Sequence, residues 1–509
     1  MSTANRVIKN TGWLYAKMAI TMFVSLYTTR LILNGLGASD FGIFNIVGGA
    51  ISMLGFLNSA MASATQRFMS YSEGAGEKEK QKSIFNVSIV LHTAVAIVMA
   101  VVLIIAGFFF FNGILNIQAD RIDAAKVVYA SLVISTLFTI MNVPYDALIN
   151  AHENMKYYAI VGLIESLLKL SVAFASFYTH HDKLIVYGIL MAAIPFVTLT
   201  IMKIYCHRKY EECVINPRKY WDKDLMRQMT SFGGWSFVGS MGSIVGNYGN
   251  GVVLNSFFGT VLNAALGIAG QLNGMLHVFA NNMLKALNPV IVKKEGEGNR
   301  SQMIEYSYTG CKFSFLLFAF FCLPCFVEAP YVLRLWLKDY PEWTVLFVRY
   351  QIVRTLLEQL TITLGTSLAA TGKIREVSIA AFVLYILPIV VLSLAFYNGA
   401  SPAWYYPIVI FFMVFATTAV RLYYCRKYCG LRLHHFTRKV ILPCILFCAS
   451  LLAVGASLNM LLDSGISRFS VCVILMELLF IPASWVILNR KERDVLQKLI
   501  SKLSNKIKT

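Results

Sequence analysis

The chain has 509 residues, of which 57% are hydrophobic and 14% are charged, and its net charge is +19. Soluble globular domains carry about 25% charged residues, so this composition excludes an ordinary soluble protein. Apolar stretches of about 20 residues, long enough to cross the hydrocarbon of a bilayer as helices, recur along the chain. We therefore predict an all-α polytopic membrane protein.

The basic residues lie in short connectors between the apolar stretches. A nucleic-acid-binding protein would cluster them on one face beside base-reading elements, so we expect no nucleic-acid partner. The sequence has no Walker motif, no G-x-S-x-G and no His/Glu metal spacing, and the "DKD" at 222–224 lies in a basic connector. We expect no enzyme activity, no catalytic residues, no cofactor and no metal, and we expect the ten cysteines to be buried, unreactive thiols.

Taken in chain order, the apolar stretches predict about fourteen transmembrane helices. No small-residue cleavage site closes a short apolar segment at the N-terminus, so we expect the first helix to be retained. The predicted spans are 11–34, 41–65, 84–111, 124–148, 157–178, 184–206, 229–256, 261–288, 304–328, 343–369, 376–398, 403–424, 440–462 and 468–488.

The charges of the connectors predict the orientation of these spans. An even number places both termini on one side, and the positive-inside rule makes that side the cytoplasm. The connectors on that side then hold most of the Lys and Arg residues, whereas the opposite connectors hold few: Arg121, Lys183, Arg334 and Lys338. The C-terminal segment is predicted to be a basic amphipathic helix on the cytoplasmic leaflet.

A weak internal repeat relates residues that are 222 positions apart. "EGAG" at Glu73 is echoed by "EGEG" at Glu295, and Gly37 falls on Gly259 in the same register. Six spans separate the copies, which predicts two parallel six-helix repeats around a central cavity, with two extra C-terminal helices. The predicted domains are an N-lobe at 1–206, a cytoplasmic linker at 207–228, a C-lobe at 229–424, helices 13–14 at 440–488 and the tail at 489–509.

The stretch "NGLGASDFGIFNIVGGAISMLGFLNSAMASATQRFMSYSEG" resembles a known family. Its glycine, acidic residue, aromatic–glycine pair and Ala/Ser-rich span ending in Gln-Arg-aromatic are similar to the Wzx-type polysaccharide flippases. These belong to the multidrug/oligosaccharidyl-lipid/polysaccharide (MOP, MATE-like) exporter superfamily. The family-motif residues are Gly37, Asp40, Phe41, Gly42, Gln66 and Arg67.

The resemblance implies flipping of a polyprenyl-diphosphate-linked oligosaccharide repeat unit by alternating access, for O-antigen (lipopolysaccharide) or capsule biosynthesis. It places the protein in the bacterial cytoplasmic (inner) membrane, in contact with membrane lipid. It also makes the polysaccharide polymerase and chain-length proteins candidate partners.

Charged residues inside the spans are the candidate site, because intramembrane charges are costly and usually face a cavity or a partner. Cations suit a diphosphate, since Arg and Lys form charge-assisted hydrogen bonds with phosphate oxygens. Amides of the seventh and eighth spans could bind sugar hydroxyls or could hold helices together. The substrate-cavity candidates are Lys17, Arg30, Arg349, Arg354, Asn247, Asn250, Gln271 and Asn273.

Two intramembrane carboxylates stand four residues from a cation on one helix face. Glu165 precedes Lys169, and Arg354 precedes Glu358. Each couple could be a self-neutralising ion pair, or its carboxylate could couple transport to protons.

Two other functions remain open at this point. A cation-coupled MATE-type multidrug exporter typically has twelve spans and a carboxylate in the first span, whereas the first span here carries Lys17 and Arg30. A membrane enzyme such as an O-antigen polymerase would use a sizeable outer loop, and the predicted outer connectors are all short.

Overall fold

The computed structural model describes residues 3–52, 55–114, 117–490, 492–494 and 497, and these residues form helices and connectors with no β-strand. A backbone in hydrocarbon must satisfy its own hydrogen bonds, which a helix does within one segment. Within these described ranges, eleven helices are long and apolar enough to cross a membrane. The chain is therefore an all-α, multi-pass membrane protein.

The count of fourteen spans is not confirmed by the eleven long, apolar helices of the described residues. Spans 229–256 and 261–288 both lie in Lys223–Gly296, where a non-helical Gly259 separates them, and span 343–369 is divided into two shorter helices. A non-helical Gly37 likewise separates spans 11–34 and 41–65, and span 41–65 crosses residues outside the described ranges. Fourteen therefore stays a prediction.

The chain divides into two compact units. The N-terminal unit comprises Ile8–Phe237 and Gly296–Gly298. Here α4 packs against α6, α2 and α3, and Val47, Leu103 and Val128 lie in its core. Its helices are α1 (Thr3–Ser52), α2 (Phe56–Ala75), α3 (Lys78–Phe109), α4 (Ile122–Ala151), α5 (Met155–Tyr178), α6 (Lys183–Lys209), α7 (Pro217–Tyr220) and the start of α8 (Lys223–Gly296).

The C-terminal unit comprises Val238–Glu295, the described part of Asn299–Thr509 and a few N-terminal residues. Within it α9 packs against α11, α12, α17 and α18, and Phe318 and Phe347 are fully buried. Its further helices are α9 (Arg300–Val327), α10 (Ala329–Leu337), α11 (Thr344–Gln359), α12 (Ile362–Thr371), α13 (Arg375–Tyr397), α14 (Tyr405–Ile410), α15 (Thr417–Tyr424), α16 (Leu433–Phe436), α17 (Leu442–Leu461) and α18 (Ile466–Ile487).

The backbone repeats with the register found in the sequence. Gly37 inside α1 has φ +79° and ψ 168°, and Gly259 inside α8 has φ +81° and ψ −174°. L-residues are strained in this region, so glycine supplies both breaks. Gly76 and Gly298 also match, with φ of +72° and +71°. Both pairs are separated by the same 222 residues as "EGAG" and "EGEG".

One ion pair fixes the chain just beyond the last long helix. Lys312 of α9 and Glu492 are both buried and lie 2.5 Å apart, and Thr309 donates to the same carboxylate at 3.1 Å. The rest of the tail predicted at 489–509 lies mostly outside the described residues. All ten cysteines are free, and eight of them are buried.

Candidate functional site

An ion pair on α11 forms the centre of a polar cluster in the C-terminal unit. Arg354 and Glu358 are one helical turn apart, and the Arg354 Nε donates to Glu358 Oε1 at 3.1 Å. A terminal nitrogen of Arg354 also donates to Oδ1 of Asn247 on α8 at 3.1 Å. The structure thus brings three of the predicted site residues together, with the Arg354 side chain only 13% exposed.

The helix ends directly after this pair. α11 stops at Gln359 and α12 begins at Ile362, which leaves a break around Thr361. Arg421 donates to the Thr361 carbonyl at 3.1 Å and to its hydroxyl at 2.9 Å. Membrane-spanning helices tolerate such breaks where other groups satisfy the freed backbone, and discontinuous helices often form transporter binding sites.

Gln359 extends the cluster toward α8 and α9. Its amide nitrogen lies 3.0 Å from Nε2 of His277, and its amide oxygen accepts from Ser314. Because the amide can only donate to that ring nitrogen, neutral His277 accepts the hydrogen bond. Gln359 is fully buried and its amide is used within the cluster, so the accessible polar groups are those of Asn247 and Arg354.

The other predicted residues of the C-terminal unit lie apart from this cluster. Arg349 donates to the carbonyls of Phe326 and Val327 at 3.1 and 3.2 Å, at the end of α9. Asn250 is buried, with its amide nitrogen 3.8 Å from the sulfur of Met413. Gln271 is exposed and Asn273 is half-buried.

The N-terminal unit holds two cations on α1. The Lys17 ammonium lies 4.5 Å from the ring centre of Tyr158 on α5. Gly162 leaves room for it, since a Cβ there would stand 2.4 Å from the Lys17 Nζ. Arg30 is exposed on the same helix. Within the described ranges neither Lys17 nor Arg30 forms an ion pair.

The remaining predicted couple forms a local ion pair. Lys169 Nζ lies 2.6 Å from Glu165 Oε1 on α5, and both side chains are more than two fifths exposed. The pair self-neutralises within one turn of helix.

The family-motif residues make structural contacts in the N-terminal unit. Arg121 donates to Asp40 through Nε at 2.9 Å and to Asp182 at 2.6 Å. The hydrogen bond from Arg121 lowers the pKa of Asp182. We call Asp40, Arg121 and Asp182 the Arg121 clasp. It joins the part of α1 that follows Gly37 to the starts of α4 and α6.

The rest of the motif packs along α2. The Arg67 guanidinium lies 4.5 Å and 4.9 Å from the ring centres of Phe68 and Tyr71, and the Gln66 amide donates to Ser70 at 2.9 Å. Phe41 and Gly42 are half-buried. The motif therefore positions helices of this unit.

A second cluster was not predicted, and it contains Glu73 of "EGAG". Nδ1 of His152 lies 3.3 Å from Glu73 Oε1, Nε2 of the same ring contacts Glu212, and the ring stacks on Tyr210 at 4.2 Å. Gln81 donates to the second Glu73 oxygen at 2.7 Å. We call Glu73, His152 and Glu212 the His152 clasp.

Charge explains this arrangement. Burial opposes the protonated ring, but the hydrogen bonds with Glu212 and Glu73 outweigh it and raise the pKa of His152 to about 9. Burial likewise opposes ionisation of Glu212, yet the contact with His152 lowers its pKa. These ligand atoms lie within 4.8 Å of one another and could hold a divalent metal ion. A protonated ring donating to both carboxylates satisfies the same atoms, so we interpret the trio as an ion-pair clasp.

Sequence spacing could not reveal either clasp, because their members are more than 50 residues apart. One signal was available: Asp40, Arg121 and Asp182 all stand at predicted span ends on the same side. Opposite charges at one end of a helix bundle are expected to pair.

Comparison with known proteins gives one family and one fold. The family model of polysaccharide biosynthesis proteins matches residues 7–295, more than half of the chain. No curated protein matches.

Solved transporters share the fold, and each similarity covers 84% of this chain. A MOP superfamily transporter from Pyrococcus furiosus is 14% identical, with a TM-score of 0.68 and 98% of that chain covered. A MATE transporter in complex with MaD3S is 14% identical, with a TM-score of 0.70 and 97% covered. An outward-facing multidrug resistance MATE transporter is 15% identical, with a TM-score of 0.67 and 98% covered.

Proposed function

This chain belongs to the polysaccharide biosynthesis protein family, and from that premise we propose that it flips polyprenyl-diphosphate-linked oligosaccharides across the bacterial cytoplasmic membrane. The oligosaccharide would serve surface polysaccharide synthesis. Both termini of the protein would lie in the cytoplasm. A polymerase and chain-length proteins are its candidate partners.

The observation that carries the proposal is the charge of α1. This helix holds Lys17 and Arg30 without an ion pair among the described residues, and it contains no carboxylate between Thr3 and Gly37. A cationic helix suits the two negative phosphates of the substrate. It does not suit a cationic drug, which would be repelled. The MOP superfamily transporter from Pyrococcus furiosus has a binding pocket of reverse polarity, so one fold hosts pockets of different polarity.

The cluster at the α11 break is a candidate sugar-binding surface within the C-terminal unit. The exposed Asn247 offers an amide beside Arg354 there. Such groups exchange hydrogen bonds with sugar hydroxyls, which would otherwise cost several kcal/mol each when moved into hydrocarbon. The polyprenyl tail stays in the lipid, and alternating access exposes the polar site first to one face and then to the other.

Substitution of the α1 cations tests the proposal. We expect Lys17→Met and Arg30→Gln each to slow flipping roughly 10- to 100-fold, because a hydrogen bond to a charged group contributes about 1.5–3 kcal/mol. The measurement is protection of a fluorescent lipid-linked oligosaccharide from an impermeant quencher in proteoliposomes. Lys126→Gln is the matched control, since Lys126 is an exposed cation at the start of α4.

Two results would contradict the proposal. One is an unchanged flipping rate in a variant that combines Lys17→Met with Arg30→Gln and has the thermal stability of the unmodified chain. The other is gradient-driven export of a cationic dye with no flipping of the lipid-linked sugar, which would favour the multidrug alternative.

A further inference from the structure

A second cationic feature lies in the C-terminal unit, away from the α11 break. It is a cavity of about 480 Å³ between the start of α9 and the turn that leads into α16. Arg300, Arg432, His435 and Lys439 line it, together with Glu305. Its volume is within the roughly 300–1,000 Å³ of small-molecule pockets.

The charge of this cavity is only partly balanced. Arg300 is engaged by Glu295, whose two oxygens both lie 3.1 Å from its Nε. Arg432 and Lys439 form no ion pair with any described residue. Two cations without an ion-pair partner among the described residues therefore share the lining with a single carboxylate, Glu305.

The start of α9 adds to the positive potential. Ser301, in the first turn of this 28-residue helix, lines the same cavity. The first N–H groups of a helix carry a partial positive charge and favour anions. The helix terminus and the side-chain cations thus act on the same space.

The segment that leads to Cys429 of the cavity carries aromatic and basic residues of the kinds found at the level of lipid headgroups. The rings of Tyr424 and Tyr428 stack at 5.7 Å, and Lys373 and Lys427 lie 5.0 and 5.2 Å from the Tyr428 ring centre. Tyrosines beside lysines are typical of the membrane–water interface. The connectors around the cavity belong to the side that the charge distribution predicts to be cytoplasmic, where anionic lipids are attracted by basic pockets.

We propose that this cavity binds the phosphate of an anionic phospholipid headgroup. Arg432, Lys439 and the α9 terminus hold the phosphate, and the acyl chains stay in the bilayer. The site is independent of the proposed flipping activity. Free phosphate offers the same chemistry without the acyl chains, so the test includes both.

The test uses the full-length protein in nanodiscs of phosphatidylcholine, titrated with phosphatidylglycerol and followed by native mass spectrometry of bound lipid. Arg432→Gln with Lys439→Gln should weaken phosphatidylglycerol binding roughly 20- to 30-fold, since each basic residue near a membrane contributes about fivefold. The matched control is Lys427→Gln with Arg438→Gln, which removes two neighbouring charges that do not line the cavity. The control should bind like the unmodified chain.

Three outcomes would overturn the assignment. The unmodified chain could show no preference for phosphatidylglycerol over phosphatidylcholine. Both double variants could lose binding equally, which would indicate general surface attraction. Inorganic phosphate at millimolar concentration could bind alone and displace the lipid, which would make a soluble phosphate the ligand.

Discussion

His152 is held between two carboxylates from distant parts of the chain, and its protonation stabilises the N-terminal unit. Its pKa is raised from 6.5 to about 9 by Glu212 and Glu73 against the effect of burial. A raised pKa stabilises the folded state fully below pH 6.5, and this contribution is lost as the pH rises through about 9. The protonated ring therefore links Glu73 at the end of α2 to Glu212. Ordinary carboxylates are fully ionised between pH 6.5 and about 9, so a change in stability in this pH range reports on His152.

Replacing His152 tests this linkage. The apparent melting temperature of the detergent-solubilised protein should fall between pH 7 and pH 9.5, with a loss of about 1–3 kcal/mol. In His152→Gln this part of the pH dependence should disappear. His180→Gln, which changes an exposed histidine, should keep the slope of the unmodified protein. An identical slope in His152→Gln would contradict the clasp.

Among the elements, α8 depends on the conformation of one glycine. Gly259 has φ +81° and ψ −174°, a non-helical conformation that joins two helices within Lys223–Gly296 without a longer connector. An L-residue in this region is strained by about 1–3 kcal/mol. The same conformation at Gly37 in α1 makes this a property of both copies of the repeat.

Alanine substitutions in α8 separate this effect from helix propensity. Gly259→Ala should destabilise the purified protein by about 1–3 kcal/mol, measured as thermal unfolding in detergent. Gly267→Ala, at a helical position with no atom within 4 Å of the added Cβ, should be neutral or stabilising by up to about 1 kcal/mol. Equal effects of the two substitutions would show that the break at Gly259 is not required.

The elements were largely predictable because a membrane allows few alternatives to the helix. Hydropathy alone located most of the long helices, and the spacing of Arg354 and Glu358 anticipated their contact. The break at Thr361 was not predicted, since its carbonyl is satisfied by Arg421, 60 residues away. The contacts of Arg349 were not predicted either, because nothing in the sequence around Arg349 indicates that it donates to carbonyls at the end of α9.

For the whole molecule, the distribution of Lys and Arg predicts which side of each unit faces the cytoplasm. Arg218 lies in the basic connector after α6, and His180 lies in the connector between α5 and α6. Both side chains are exposed. The positive-inside rule therefore assigns Arg218 to the cytoplasm and His180 to the opposite side.

Cysteine labelling of intact cells checks the orientation. His180→Cys should react with a membrane-impermeant maleimide, and Arg218→Cys should react only after the membrane is permeabilised. The unmodified chain gives a low background because eight of its ten thiols are buried. Labelling of Arg218→Cys in intact cells would reverse the predicted topology.

The Arg121 clasp has a consequence for biosynthesis. Its members enter the membrane at different times, because Asp40 precedes Arg121 by two helices and Asp182 follows it by two more. A chain made from its N-terminus can pair Arg121 with Asp40 first, whereas the second carboxylate arrives only after α5 has emerged. Asp182 therefore completes the clasp, which forms only in a chain that has been made through its first five helices.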